Sequence, residues 1–109
     1  FALDAAEKIE RETGAKIRVV DMHTIKPLDI DAVVNAARTG RVIAAQDHNI
    51  IGGLGYYVGA AIAEAGIATK FKILGCPDHF VPIATAPYLF HKNEYDAEGL
   101  AKNMRAMLD

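Results

Sequence analysis

At 109 residues, 51% hydrophobic and 24% charged, the chain is long enough for one compact domain and too short for two, and it carries enough apolar residues for a packed core. A net charge of −2, from 12 basic and 14 acidic residues, argues against a dedicated nucleic-acid binder, which shows a basic surplus. One cysteine excludes an internal disulfide framework and fits a reducing compartment, so a cytoplasmic protein is expected. The longest uncharged run, Asn49 to Ala63, is shorter than a membrane span and is broken by four glycines, which favours a soluble protein. No basic segment followed by an apolar stretch marks a signal peptide. The first residue is Phe rather than Met, so residues 1–109 are expected to form one domain of a longer polypeptide.

Ala2, Ala5, Ala6 and Ile9 recur at helical spacing with charged residues between them, and Gly14 is placed to cap this first helix. Lys16 to Asp21, with Ile17, Val19 and Val20, reads as a buried strand. Met22 to Leu28 reads as a loop, since Pro27 biases Lys26 to extended geometry. Asp29 is a suitable N-cap for a second helix that buries Ile30, Val33, Val34 and Ala37 and ends before Gly40. Arg41 to Gln46 is apolar on both faces, as strands of helix-covered parallel sheets are. The glycine-rich Gly52-Gly53-Leu54-Gly55 then opens a third helix through Val58, Ala61, Ile62 and Ala65, and Phe71 to Leu74 reads as a third strand. Gly75 to Glu94, with three prolines, reads as an irregular excursion holding one helical turn near Tyr88. Asp96 caps a last helix that buries Ala97, Leu100, Ala101, Met104 and Leu108. The alternation predicts a three-layer α/β fold, a mainly parallel sheet with helices on both faces. The first helix has no strand ahead of it, so the first strand of the sheet is expected to lie outside these residues.

Gly53-x-Gly55-x-x-x-Gly59 follows a strand and opens a helix, the context of a dinucleotide fingerprint. Val58 stands where the strict third glycine belongs, and no acidic residue closes the next strand at the expected place. Glycines here serve a tight turn and close helix–sheet packing equally well. A stand-alone nucleotide- or anion-binding module, using the helix N-terminus, is the alternative this turn keeps open. Asp47-His48 lies at the carboxyl end of a strand, where α/β domains place their chemistry, yet one adjacent Asp makes no triad, and the chain has no serine to serve as a nucleophile. Cys76 and His79 supply two metal ligands where a structural zinc needs four. No catalytic, cofactor-binding or metal-binding residue is assigned on these grounds. Tyr56 and Tyr57 cannot both face one helix core, so one is expected at solvent or against another chain. Lys92, Lys102 and Arg105 read as a solvated face.

Three ordered stretches, Ile17-Arg18-Val19-Val20-Asp21-Met22-His23-Thr24-Ile25-Lys26-Pro27-Leu28-Asp29, Asp47-His48-Asn49-Ile50-Ile51-Gly52-Gly53-Leu54-Gly55 and Gly75-Cys76-Pro77-Asp78-His79-Phe80, resemble the C-terminal domain of the transketolase family, as does the helix entry Tyr95 to Leu100. The matching signature positions are Lys26, Pro27, Asp29, His48, Gly52, Gly53 and Gly55. The resemblance implies the α/β third domain of an enzyme that uses thiamine diphosphate and Mg²⁺ to transfer two-carbon ketol units between sugar phosphates. It implies that the cofactor is held by other domains or a partner subunit, in a homodimer or a heteromeric assembly, while this domain supports assembly or regulation and binds no cofactor alone. The C-terminal domain of 1-deoxyxylulose-5-phosphate synthase is the alternative within the same resemblance; Met22 to Ile25 favours transketolase, including versions split into two subunits, and a 2-oxoacid dehydrogenase β-subunit fits less well. Two positions depart from the family pattern: Gln46 stands where an acidic residue is common, and Ala84 where a glycine is common.

Overall fold

The computed structural model describes residues 1–109. Its centre is a parallel pair of strands, β1 (Arg41–Asn49) and β2 (Lys70–Cys76). They run in register from Arg41 opposite Lys70 to Ala45 opposite Leu74, then slip so that Asn49 faces Cys76. Between those points β1 spends more residues than β2, and such a bulge bends the strand and re-aims its side chains. The residues at the bulge are Gln46, Asp47 and His48.

Helices cover both faces, as the alternation predicts. On one face α1 (Ala2–Thr13) and α5 (Ala97–Leu108) enclose Ala5, Ile9, Leu74, Tyr95, Leu100 and Ala101. On the other, α2 (Ile30–Ala37) and α3 (Leu54–Glu64) enclose Val33, Ala37, Ala44, Val58, Ala61 and Ile62. The division follows from the pleat: Ala44 and Ile73 point one way, Ala45 and Leu74 the other. The caps are those the sequence indicates. Gly14 takes a left-handed conformation at the end of α1, Asp29 accepts a hydrogen bond from the Ala32 amide at 3.0 Å, and Asp96 accepts one from the Gly99 amide at 2.8 Å.

Several expectations are corrected. Lys16 to Asp21 is extended but pairs with no strand, and Val20 is exposed, because no chain lies at hydrogen-bonding distance on either side. β1 is not buried on both faces: Ala44 alone is fully covered and Ala45 is exposed, since one edge and part of one face lack a neighbour. Asp47 to Asn49 continue β1 instead of leaving it. Ile30 stays exposed at the first turn of α2, whose apolar stripe outruns the short sheet beneath it. The helical turn expected near Tyr88 is present and longer than expected, as α4 (Ala86–Lys92), with Pro87 in its first turn, where a missing N–H costs nothing. In α5, Ala97, Met104 and Leu108 are only half-buried, while Gly99 and Asn103 are buried: a side chain on Gly99 would collide with the Glu94 backbone. No helix is long and apolar enough to cross a membrane.

Candidate functional site

The signature positions gather at the carboxyl end of the strands. Lys26 and Pro27, joined by a cis peptide, form the exposed turn before α2. Asp29 starts α2, His48 lies at the bulge of β1, and Gly52, Gly53 and Gly55 make the turn into α3. Met22, Leu28 and Leu54 pack against one and the same core cluster, which ties the pre-α2 turn to the glycine turn.

Gln46 organises this end. Its Nε2 donates to the Asn49 carbonyl at 2.7 Å, and its Oε1 accepts from the Gly55 amide at 2.8 Å. One side chain thereby closes the strand bulge and fills a donor of the α3 N-terminus. The glycines make room for it. A Cβ on Gly53 would fall on the Gln46 amide, and one on Gly75 would stand 2.7 Å from the His48 carbonyl oxygen. Gly52 has a φ of 74°, a left-handed conformation that favours glycine. Gly55 and Gly59 let α3 lie against β2, their missing side chains facing Ile73 and Phe71. Asn49 extends the network: its Nδ2 donates to the Asp78 carboxylate at 3.0 Å, and its Oδ1 accepts from the Ile51 amide at 2.7 Å. The glycines of this turn thus serve close packing, and Gln46 takes the Gly55 donor in the first turn of α3.

The reactive-looking residues are not assembled into a reacting pair. The His48 side chain is exposed and makes no hydrogen bond within the chain, and Lys26 is exposed and unpaired. Cys76 is half-buried, its thiol donating weakly to the Pro77 carbonyl at 3.7 Å, and His79 is exposed. The ion pairs lie elsewhere: Lys102 meets Glu94 and holds its carboxyl below the usual range, and Arg105 meets Glu12. Beneath the site, burial pushes the Tyr95 phenol up, with Asp47 and Cys76 contributing from the strand ends. Tyr56 and Tyr57 are each 49% exposed, so both face outward, not one alone.

No three His, Cys, Asp or Glu side chains stand together as metal ligands, and one donor of the α3 N-terminus, the Gly55 amide, is taken by Gln46. The Gln46–Asn49–Asp78 network is not legible in the sequence, because its longest hydrogen bond joins residues 29 positions apart. Its only signal was Gln46 itself, a neutral amide at a strand end beside a glycine turn.

The transketolase C-terminal domain family matches residues 1–100. An apulose-4-phosphate transketolase subunit from Phocaeicola vulgatus is 38% identical over 93 residues, 84% of this chain and 29% of that protein. A 1-deoxy-D-xylulose-5-phosphate synthase from Dehalococcoides mccartyi is 35% identical over 111 residues, 99% of this chain and 17% of that protein. The solved structure of a split-gene transketolase, an inactive β4 tetramer, superposes with a TM-score of 0.84 at 34% identity, over 98% of this chain and 34% of that one. The chain thus spans less than a third of the length of these two curated relatives. On the match over residues 1–100, this chain belongs to the transketolase C-terminal domain family.

Proposed function

We propose that residues 1–109 form the assembly domain of a thiamine diphosphate- and Mg²⁺-dependent transketolase-type enzyme that moves two-carbon ketol units between sugar phosphates. The observation that carries this reading is the agreement with a split-gene transketolase in both fold and sequence, at 34% identity over 98% of the chain. The cofactor, when bound to the neighbouring domains or subunit, supplies the carbanion chemistry. This chain contributes a rigid end that those neighbours rest on. Gly53, Gly55 and Asp29 build that end, and Lys26, Pro27, Gly52 and His48 line its surface. Exposed Lys26 and His48, unpaired within the chain, are suited to contact a cofactor-bearing neighbour.

The test is to incubate the natural polypeptide, with its companion subunit where the enzyme is split, with thiamine diphosphate, Mg²⁺, a ketose phosphate and an aldose phosphate. Ketol transfer supports the reading; no transfer by an assembled, cofactor-loaded enzyme overturns it. The second reading, the same domain of a 1-deoxyxylulose-5-phosphate synthase, rests on the relative that covers 99% of the chain at 35% identity. Release of CO₂ from pyruvate with formation of deoxyxylulose phosphate assigns that activity instead.

A further inference from the structure

The chain between β2 and α5 is thinly anchored. No residue from Pro77 to Glu94 is buried, and Asp78 to Tyr88 are all exposed, with Phe80 and Ile83 fully so. α4 lies within this stretch and buries none of its residues. The main-chain hydrogen bonds here stay local. His79 donates to Pro77, Leu89 to Thr85 and Asn93 to Leu89, and beyond Asn93 only Glu94 and Tyr95 reach back, to His91 and Phe90. No main-chain bond runs from Pro77 to Asn93 onto the sheet, α1, α2 or α3.

Two side-chain hydrogen bonds fasten the segment, one near each end. Asn49 Nδ2 donates to the Asp78 carboxylate at 3.0 Å, and His91 Nδ1 meets Asp96 Oδ2 at 2.8 Å. Phe90 adds an apolar anchor, its ring centre 5.9 Å from that of Phe1 and 5.1 Å from that of Tyr95. Past this point the chain is fixed. Glu94 holds a left-handed φ of 60°, its backbone fills the room left by Gly99, and its carboxylate meets Lys102. Stretches with few buried contacts and exposed backbone open at a lower free energy than the core they are attached to.

We propose that Pro77 to Asn93 is a hinged strap that opens and closes as one unit while the sheet, α1 and α5 stay folded. The unit is set by α4. A helix of 7 residues is too short to persist alone, so it depends on its anchors, and Phe90 and His91 stand side by side on it and leave together when it melts. Releasing Asp78 lengthens the free loop ahead of α4, which raises the entropy cost of holding Phe90 in place. The anchors also decide what the strap connects. Asn49 accepts the Ile51 amide as well, so one end is tied to the glycine turn. Phe90 at the other end covers Phe1 at the start of α1 and Tyr95 of the α1–α5 core. Closed, the strap links the carboxyl end of the strands to the start of α1; open, it frees Phe1 and uncovers Tyr95.

Hydrogen exchange on the natural polypeptide, unaltered and with Asp78→Ala, tests the strap. The Leu89 and Asn93 amides are expected to share one opening rate and to exchange roughly 100-fold or more faster than the amides that join β1 to β2. Asp78→Ala removes only the distant anchor, and it is expected to speed both amides about fivefold while the β1–β2 amides keep their rate. Leu89 and Asn93 amides as slow as those of the sheet overturn the proposal, because nothing then opens by itself. A variant that leaves both unchanged also overturns it, since the segment then moves as independent pieces. So does one that speeds the sheet amides equally, which makes the opening global.

Discussion

The side-chain amide of Gln46 uses both its donor and its acceptor on backbone groups from two elements, which no carboxylate can do. Gln46→Ala removes two hydrogen bonds worth about 1 kcal/mol each, so a loss of about 2 kcal/mol in denaturant unfolding is expected. Gln46→Glu keeps the acceptor for Gly55 but sets a charged oxygen against the Asn49 carbonyl. Ionisation of that carboxyl is disfavoured in the fold, so its pKa is raised above the unfolded value. The sign follows: the variant is expected to lose stability at neutral pH and regain it as pH falls and the carboxyl becomes a donor. A Gln46→Glu variant whose deficit stays constant from neutral to acid pH would refute the hydrogen-bond assignment. Gly55 makes the packing argument in the same place. An added Cβ would stand 2.5 Å from Ile73 Cγ2, so Gly55→Ala is expected to cost about 1–3 kcal/mol. Its cost is expected to shrink in an Ile73→Ala background, and a double-mutant cycle of melts reads that coupling.

At the scale of elements, the junction of α4 and α5 depends on pH. Asp96 caps α5 through the Gly99 amide and also meets His91 Nδ1 at 2.8 Å. The backbone hydrogen bond holds the Asp96 carboxyl below its ordinary value of 3.8, and the Asp96 hydrogen bond raises the His91 imidazole above 6.5. A raised histidine stabilises the fold below its unfolded pKa and loses that contribution as pH rises through the folded one. A lowered carboxyl contributes above its unfolded pKa and loses it as pH falls through the folded one. Both act together between 3.8 and 6.5. His91→Gln is therefore expected to lower the melting temperature more at about pH 5.5 than at about pH 8. Equal losses at both values would remove the charge from the argument. This junction was half legible in the sequence, where Asp96 announces a helix start by its local chemistry. That His91 reaches Asp96 depends on α4, of which the sequence shows only one turn near Tyr88.

For the whole molecule, what the sequence shows well is what neighbouring residues decide among themselves. Helix periodicity, the Asp29 and Asp96 caps and the left-handed glycines all lie within a few positions of the residues they serve, and they place α1, α2, α3 and α5 correctly. Strands are different, because a strand exists only where another chain offers its edge. Ile17 to Met22 has a strand's composition and an extended path yet no partner, so the sequence pattern ran ahead of the pairing. Of the site, the glycine turn was legible as a turn, while its purpose, room for Gln46 and for Ile73, emerges only from the packing of α3 on the sheet. Ile51, Tyr56, Tyr57 and Phe80 are all exposed and follow the carboxyl ends of the two strands, a concentration of large apolar side chains that solvent alone does not favour. If this end rests on a neighbouring domain or subunit, a charge there disrupts assembly and leaves the fold intact. Tyr56→Glu combined with Tyr57→Glu is expected to change unfolding stability by less than about 1 kcal/mol, because neither ring is buried in this chain. It is expected to weaken association of the natural enzyme about tenfold or more in sedimentation velocity, as removal of central aromatic contacts does. Unchanged association with unchanged stability would show that both tyrosines face solvent in the assembly and would move the interface to another surface.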